Sequence, residues 1–315
     1  MIFSCDQVET EGERIRDNCK LGFVKVNDEE IYAICGSSGF EIINSVYSIN
    51  VKQNTWKYIE TTDDIPTPRS GISATYYKGK IYMFGGFNRI QHNQKGRHSH
   101  SIARCEDKLY LFGGRLDHSI SRSNDLWKYS IKKNKWKEMN NFIGEKPSKR
   151  SSHIGHIIDR TLYIFGGVDN QDIVVNDMYQ YSIDSKTWSK IFFRDSIVPS
   201  PRSSPSSTVF GSSIILFGGQ YAQDGIRLDF NDIFQFDSVT QKWKQLKSYS
   251  NNSEIPKRSC HVCETVGSKV FIYGGEVYND NKRYAHLNDI WAIDFTSDLV
   301  KDLRKMEKKG FLVDF

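Results

Sequence analysis

Short runs rich in aromatic and aliphatic residues recur along the whole chain, with turn residues between them. One stretch shows the pattern well: it reads SSHIGHIID (151–159), TLYIFGG (161–167), DMYQYSI (177–183) and TWSKI (187–191). The runs carry the Ile, Tyr, Phe and Trp that are typical of β-strands, and Asp, Ser and Lys separate them. The pattern therefore predicts four short strands in a repeating unit of about 50 residues.

Glycine doublets mark the copies of this unit. Counted from Gly36, the second members of the doublets are 50, 28, 53, 52 and 56 residues apart. Cys35 replaces the first glycine of the first copy, and the others are Gly85 and Gly86, Gly113 and Gly114, Gly166 and Gly167, Gly218 and Gly219, and Gly274 and Gly275. Glycine reaches backbone angles that are closed to other residues, so we expect a doublet where the chain leaves each second strand.

An arginine precedes each doublet at a constant distance. It stands 17 residues before the second glycine in five copies, at Arg69, Arg97, Arg150, Arg202 and Arg258. In the first copy the same offset lands on Cys19. Because a residue that recurs once per unit at a fixed offset is more often structural than catalytic, we predict a structural role for these arginines.

An Asn-Asp pair and a tryptophan complete most units after a variable stretch. The pairs are Asn124-Asp125, Asn176-Asp177, Asn231-Asp232 and Asn288-Asp289. The tryptophans are Trp56, Trp136, Trp188 and Trp243. We expect each aspartate to bind an arginine of the series. We expect each tryptophan to fill the wedge between neighbouring units, where truncation to alanine would cost about 3–5 kcal/mol.

These units predict an all-β propeller of six blades. A four-stranded unit cannot bury both of its faces alone, whereas units arranged around an axis bury each sheet between two neighbours. The last copy lacks a tryptophan after its aromatic run, and Ser4–Thr10 (SCDQVET) occupies the corresponding position before the first copy. We therefore expect the N-terminal segment to supply the outer strand of the last blade, closing a propeller domain over residues 1–295.

The second blade is incomplete. After Gly86 the sequence FNRIQHNQKG leads directly into Arg97, so about 25 residues that would form the outer two strands are missing. Either the half-blade is real, or the sequence has lost a segment, for instance through a mis-joined exon. We favour the lost segment, because a two-stranded blade leaves an open strand edge and uncovered apolar faces on blades one and three.

The last part of the chain, residues 296–315, changes character. Leu299, Val300, Leu303 and Met306 follow a helical spacing that breaks at Gly310. We predict a short C-terminal helix here. It is either a solvated terminal helix or the start of a truncated further domain.

Composition narrows the class of protein. The 43 basic and 38 acidic residues are scattered and leave a net charge of only +5, so we expect no nucleic-acid binding. No apolar run approaches the 18 or so residues of a membrane span, and the N-terminus does not resemble a signal peptide. Six cysteines in a chain this long are not a disulfide framework, and we expect reduced thiols in a cytoplasmic protein.

No catalytic motif stands out. Cys260 and Cys263 form a C-x-x-C, but a strand places them on opposite faces and no second pair exists. No Ser-His-Asp set, P-loop or H-E-x-x-H motif occurs. We therefore predict no enzyme activity, no metal and no cofactor. A metal-dependent enzyme of the propeller class is the less favoured alternative.

The units resemble kelch repeats of the PxPRxxH…IYxFGG…NDxWxYD…W kind, over roughly residues 1–295. The histidine of that pattern stands at His100, His153 and His261, while Ile72 and Pro205 replace it elsewhere. The chain looks most similar to the leucine-zipper-like transcriptional regulator family, and its tail is similar to the opening of a BTB domain. That resemblance implies a substrate adaptor. Its propeller would bind a client such as a small Ras-type GTPase, and a BTB region beyond this chain would recruit a cullin ubiquitin ligase.

The loops between second and third strands are the predicted binding surface, because loops vary while the scaffold stays fixed. They cover 115–123, 168–175, 220–230 and 276–287 and mix Tyr, Arg, His and Asn. The candidate contact residues are Arg115, His118, Tyr221, Arg227, Tyr278, Arg283, Tyr284 and His286. A kelch effector in cytoskeletal or vesicle trafficking is an alternative that the sequence does not separate from the adaptor.

Overall fold

The computed structural model describes residues 2–13, 15, 18–38, 41–62, 65–88, 96–116, 121–194, 196–248, 254–279 and 284–295. Throughout those ranges every regular element is a β-strand. The described part of the chain accordingly holds no helix that could cross a membrane. The predicted C-terminal helix at 296–315 lies outside the described residues.

The strands are short and follow one another closely along the chain. In order they are β1 (Ile2–Gln7), β2 (Glu11–Gly12), β3 (Gly22–Lys25), β4 (Glu30–Ser38), β5 (Glu41–Asn50), β6 (Thr55–Tyr58), β7 (Ser70–Tyr77), β8 (Lys80–Phe87), β9 (Arg97–His98), β10 (Ser101–Cys105), β11 (Lys108–Leu116), β12 (Arg122–Ser130), β13 (Lys135–Glu138), β14 (Arg150–Ser151), β15 (Ile154–Ile158), β16 (Thr161–Phe165), β17 (Val168–Asp169), β18 (Met178–Ser182), β19 (Thr187–Ile191), β20 (Ser206–Phe210), β21 (Ser213–Phe217), β22 (Gln220–Gln223), β23 (Ile226–Asp229), β24 (Ile233–Asp237), β25 (Lys242–Ser248), β26 (Val262–Val266), β27 (Lys269–Tyr278) and β28 (Tyr284–Asp294).

Five blades have four antiparallel strands each, and the propeller prediction is confirmed. Blade one is β3–β6, blade three is β10–β13, and blade four is β15, β16, β18 and β19. Blade five is β20, β21, β24 and β25. Blade six is β26, β27 and β28, with β1 as its outer strand.

The two ends of the described chain meet in blade six. β1 runs antiparallel to β28, with Ser4 opposite Asp294 and Gln7 opposite Trp291. Phe3 and Cys5 are buried in the core that blade six shares with blade five. The chain then crosses to blade one, where β2 pairs in parallel with β6. The N-terminal segment thus forms the closing outer strand that the strand count predicts.

Blade two is a two-stranded sheet. Within the described residues, β7 and β8 pair only with each other. β7 still takes its place among the inner strands, because β3, β7, β10, β15, β20 and β26 each contact the next and β26 contacts β3. The ring therefore has six positions, of which five carry complete blades.

Aromatic side chains fill the wedges between blades. The tryptophan on a fourth strand stacks on the ring that precedes the glycine doublet of the blade before it. Trp188 lies 5.4 Å from Phe112, and Trp243 lies 4.8 Å from Phe165, measured between ring centroids. Both tryptophans are 2% exposed. Burial of this size explains why a tryptophan recurs once per blade.

The glycine doublets adopt the backbone that the sequence predicts. All the doublet glycines have positive φ, for example 69° at Gly85 and 95° at Gly86. A Cβ on Gly86 would lie 2.5 Å from Cγ2 of Ile72, so a side chain has no room there. Cys35, at the first position of the first copy, has φ 58°, a strained conformation for a residue with a side chain.

Candidate functional site

Four of the five arginines in the series bind an aspartate of an Asn-Asp pair, as predicted. Arg97 donates from Nη1 and Nη2 to the two carboxylate oxygens of Asp125, at 2.7 Å each. The equivalent pairs are Arg150–Asp177, Arg202–Asp232 and Arg258–Asp289. Burial raises the pKa of Asp125, but the hydrogen bonds from Arg97, Ser123 and Trp127 outweigh it and hold that pKa at about 2. These pairs fix the second strand to the third, so their role is structural.

The first copy has a different residue in the arginine position. Asn18, rather than Cys19, donates its side-chain amide to the carbonyl of Cys35, where the arginines contact the first glycine. The sequence offset was misleading because the turn between β3 and β4 spans 26–29, whereas the corresponding turn of blade four spans 159–160. Cys19 is therefore the counterpart of the serine that follows the arginine elsewhere.

A closed ring of six backbone hydrogen bonds surrounds one mouth of the central channel. Each blade contributes one residue with positive φ, and its N–H donates to the carbonyl of the equivalent residue in the preceding blade, at 2.7–3.0 Å. The six residues are Lys20, Gly71, Ser99, Ser152, Ser204 and Cys260. Gly71 belongs to blade two, so the half-blade is a full member of this ring.

The loops between second and third strands gather on the face of this ring. In an antiparallel blade these loops lie at the opposite end from the hairpin turns that join strands one to two and three to four. Neighbouring loops brace one another. Arg122 of blade three donates to the carbonyl of Asp169 and to the carboxylate of Asp172, both at 2.7 Å. The backbone N–H of Val174 donates to Oε1 of Gln223 in blade five. The loops therefore form a rim over blades three to six.

Three predicted contact residues lie together at the blade five to blade six end of this rim. The guanidinium of Arg227 donates to Oη of Tyr284 and lies 4.5 Å from the ring centroid of Tyr278. Tyr284 is 37% exposed. The backbone N–H of Tyr278 donates to Asp229 at 2.7 Å, which ties the two blades together. Cationic and aromatic groups held in this way suit a protein contact.

The other predicted contact residues are spread out. Tyr221 lies on β22, opposite Leu228 on β23, and is half-buried. Arg115 lies in blade three, opposite Arg122. His286 is half-buried, and its Nδ1 is shielded from solvent. His118 and Arg283 lie outside the described residues. A contact role for each of these residues stays a prediction.

Two exposed apolar residues on the rim were not among the predicted contacts. Ile226 and Leu228 on β23 are 54% and 53% exposed. They alternate with Arg227 along a hairpin whose turn has Asp224 and Gly225 at positive φ. An Asp-Gly pair between short strands is a hairpin signal that could have located them in the sequence. Exposed aliphatic side chains beside Tyr284 give the rim an apolar contact area.

A polar cluster occupies the seam between blades six and one. The ligand-type atoms of Cys19, Glu276 and His286 lie within 4.8 Å of one another. Cys19 Sγ donates to Glu276 at 3.7 Å, and Nζ of Lys20 lies 3.6 Å from the same carboxylate. Burial, with Glu276 adding to it, raises the pKa of Cys19 to about 11, so the thiol is protonated. Sequence spacing could not reveal this cluster, since it joins residues from opposite ends of the chain.

The C-x-x-C cysteines have separate surroundings. Cys263 packs in the core between blades five and six, while Cys260 is part of the backbone ring. Burial raises the pKa of both thiols. All six cysteines of the chain are free thiols.

A propeller of aromatic, glycine-doublet blades with buried Arg–Asp pairs defines the class of the protein. The family described as the KLHDC2/KLHL20/DRC7 Kelch-repeats domain matches residues 99–309. The chain therefore belongs to the kelch-repeat family. Homologues of this kind indicate a protein-interaction propeller.

Similar proteins include several that are much longer than this chain. Tip elongation aberrant protein 1 of Schizosaccharomyces pombe is 29% identical over 250 residues, covering 77% of this chain and 20% of that protein. A leucine-zipper-like transcriptional regulator 1 homolog of Drosophila melanogaster is 21% identical over 307 residues, covering 85% and 30%. Mouse Kelch domain-containing protein 1 is 30% identical over 212 residues, covering 58% and 52%. The chain thus spans between a fifth and about half of these relatives.

Proposed function

We propose that the protein is a non-catalytic interaction scaffold that captures a protein partner on the rim of loops. The observation that carries this proposal is the brace between blades five and six. There Arg227 holds Tyr278 and Tyr284 beside the exposed Ile226 and Leu228. Aromatic, arginine and aliphatic groups on a rigid base are the composition of interface hot spots.

The rim can be tested with a matched pair of variants in the same blade. Ile226→Asp with Leu228→Asp should abolish partner binding, because both side chains project from the rim. Val239→Asp is the control: Val239 is 78% exposed but lies on the turn between β24 and β25, at the opposite end of blade five. Both variants should melt like the parent protein. If the control loses binding as strongly as the rim variant, the contact surface lies elsewhere.

We further propose that the partner is the client of a BTB/cullin-type ubiquitin ligase, with a small Ras-type GTPase as the first candidate. The likeness to the leucine-zipper-like transcriptional regulator homolog supports this. Purified Ras-type GTPases, loaded with GDP or a GTP analogue, should bind the immobilised propeller and not its rim variant. The residues encoded after Phe315 should include a BTB domain, and the full-length protein should co-precipitate a cullin. Failure of the cullin result alone would leave the scaffold and remove the ligase.

A role in cytoskeletal or vesicle trafficking is the second candidate. It is supported by the likeness to a protein named for tip elongation, which covers 77% of this chain. In that case the rim variant should mislocalise a tagged full-length protein in cells, while cullin is absent from precipitates. A reducing compartment such as the cytoplasm suits six free thiols.

A metal-dependent enzyme is the least supported alternative, and the seam cluster is where a metal would bind. Cys, His and carboxylate ligands suit zinc, although the ammonium of Lys20 already balances the charge of Glu276. Metal analysis of the purified protein should find less than stoichiometric zinc, copper or iron. A stoichiometric metal that is lost in Cys19→Ser would overturn the non-catalytic scaffold.

A further inference from the structure

The outer edge of blade two is an unpaired strand edge. β8 pairs with β7 on its inner side, and within the described residues no strand pairs on its outer side. In the five complete blades a third strand lies at that edge. Ile81 and Met83 pack towards blade one, while Tyr82 and Phe84 face Tyr129 and Trp136 of blade three. A strand added at this edge would contact both neighbouring blades.

Arg69 is already arranged to bind a carboxylate at this edge. It donates from Nε to the carbonyl of Thr67 and from Nη1 to the carbonyl of Gly85. Arg150 makes the same two kinds of contact, with Ser148 and Gly166, and in addition binds Asp177 from Nη1 and Nη2. Within the described residues no carboxylate contacts Arg69. Its guanidinium is therefore a prepared half of a bidentate pair.

Trp136 lacks the cover that the other fourth-strand tryptophans have. It is 37% exposed, against 4% or less for Trp56, Trp188 and Trp243. Its stacking partners are in place, because Phe84 and Tyr129 each lie 5.0 Å from its ring. Trp188 is additionally packed with Leu126, a third-strand residue of the blade before it. The missing contact of Trp136 is therefore the third strand of blade two.

The four third strands that follow an Asn-Asp pair define what would fit. They read DLWKY (125–129), DMYQY (177–181), DIFQF (232–236) and DIWAI (289–293). The aspartate binds the arginine, and the next residue is an aliphatic one that is buried in each case. An aromatic residue follows, then a variable one, then a residue that is Tyr, Phe or Ile. The common pattern is aspartate, aliphatic, aromatic, any residue, then aromatic or aliphatic.

We propose that the outer edge of blade two accepts a β-strand of this pattern from another protein. The donated strand would pair with β8, place its aspartate on Arg69 and cover Trp136. Main-chain hydrogen bonds along an open strand edge supply affinity, and the alternating side chains supply specificity. Charge complementarity at Arg69 fixes the register, since a shift by one residue would move the aspartate to the wrong face.

The chain's own described strands cannot fill this place. Residues 88–96 provide nine positions between β8 and β9, whereas the corresponding connection in blade four, 169–201, has 33. The third strands of the other blades are each paired on both sides. A second copy could donate one only by opening a complete blade. A strand from a different protein is the occupant that leaves the propeller intact.

A peptide copied from blade three is the direct probe. Residues 121–139, SRSNDLWKYSIKKNKWKEM, contain a third and a fourth strand of the required pattern. By analogy with β11 and β12, Leu126 of the peptide should lie opposite Phe84. A fluorescently labelled peptide should bind the full chain with one site, measured by anisotropy. A peptide with Asp125→Asn should bind at least tenfold more weakly, which corresponds to about 1.4 kcal/mol.

Variants of the protein separate recognition from non-specific stickiness. In Arg69→Met the two peptides should bind equally, because the Asp-dependent difference requires the guanidinium. Arg160→Met is the control, since Arg160 is an exposed arginine of blade four that pairs with Asp184. It should leave both affinities unchanged. Equal binding of both peptides to the unaltered protein, or no binding of either, would refute the proposal.

Tryptophan emission gives a second readout of the same site. When both peptide tryptophans are replaced by phenylalanine, only the protein's tryptophans report. Binding should shift the emission to shorter wavelength as Trp136 becomes covered. The shift should vanish in Trp136→Phe while anisotropy still reports binding. Binding without an emission shift in the unaltered protein would place the peptide elsewhere and overturn the proposal.

Two other occupants of the edge are distinguishable outcomes. Sedimentation of the protein alone should give a monomer; a dimer that Arg69→Met dissociates would make a second copy the occupant and overturn the proposal. Sequencing the transcript across Gly86–Arg97 should give the short form. Recovery of about 25 further residues with an Asn-Asp pair, an aromatic strand and a tryptophan would fill the edge in cis and equally overturn it.

Discussion

Blades four and two begin with nearly the same strand, LYIFGG in one and IYMFGG in the other, yet the two strands are buried differently. In β16 of blade four, Leu162, Tyr163, Ile164 and Phe165 are all buried, at 5% exposure or less. In β8 the equivalent side chains, 81–84, are all partly exposed. The difference teaches that the second strand of a propeller blade owes its burial to its own third strand as much as to the neighbouring blades.

The inner halves of the same two blades are alike. Gly71 and Ser152 take equivalent places in the backbone ring. His100, at the seam of blades two and three, is 6% exposed, and His153, at the seam of blades three and four, is 7% exposed. The loss of two outer strands therefore leaves the axis of the propeller unchanged. This division gives three expectations, each of which compares the two blades.

The largest contrast is expected at the arginines. Arg150→Met should lower the free energy of unfolding by about 3–5 kcal/mol, because it leaves Asp177 with a lost ion pair in a largely buried site. Arg69→Met removes hydrogen bonds to Thr67 and Gly85 but leaves no carboxylate behind, and should cost about 1–2 kcal/mol. Urea unfolding of both variants measures the difference. Equal losses would mean that Arg69 has a charged partner of its own.

A smaller contrast is expected at the tryptophans. Trp188→Ala should cost about 3–5 kcal/mol, the usual range for a large buried aromatic side chain. Trp136→Ala should cost roughly half as much, because part of its surface is in contact with water before the substitution. Trp136→Phe and Trp188→Phe serve as milder controls in the same unfolding experiment. A Trp136→Ala variant that unfolds as readily as Trp188→Ala would contradict the partial exposure.

No contrast is expected in the response to acid. Burial, with the nearby Arg97 and Arg150 adding to it, lowers the pKa of His100 and His153 to about 3. Both are neutral in the folded protein, whereas the unfolded chain binds protons at these residues near pH 6.5. Their contribution to stability is therefore complete above pH 6.5 and is lost as the pH falls towards 3.

Substitution of either histidine should reduce this acid sensitivity by the same amount. His100→Gln and His153→Gln should each flatten the dependence of the unfolding free energy on pH between 6.5 and 4, relative to the parent protein. Burial raises the pKa of Glu264 to about 7, which contributes the opposite slope, but equally in all three proteins. A clearly smaller effect of His100→Gln would show that the half-blade disturbs the axis after all.

Much of this architecture could be predicted from the sequence because each blade repeats the same solution. The doublets, the Arg–Asp pairs and the closing strand at Ser4 all follow from spacing. The exception in the first copy arose from spacing as well: a longer turn moved the structural residue from Cys19 to Asn18.

The candidate site was less predictable, because it depends on contacts between blades. The loop residues Arg227 and Tyr284 were chosen for their types, but the contact between them joins positions 57 residues apart. The exposure of Ile226 and Leu228 was not anticipated, since alternation with polar residues does not say which face is covered. The seam cluster of Cys19, Glu276 and His286 forms only when the ring closes.

The closing strand also sets the order of events when the protein is made. β1 is among the first segments to leave the ribosome, and its partner β28 begins at Tyr284. At about 5–20 residues per second, β1 waits roughly 15 s to a minute for that partner. During this time Phe3 and Cys5 have no core to enter. The last step of folding therefore joins the oldest and the youngest parts of the nascent chain, and a chaperone that shields the emerging N-terminus would protect the step on which the whole ring depends.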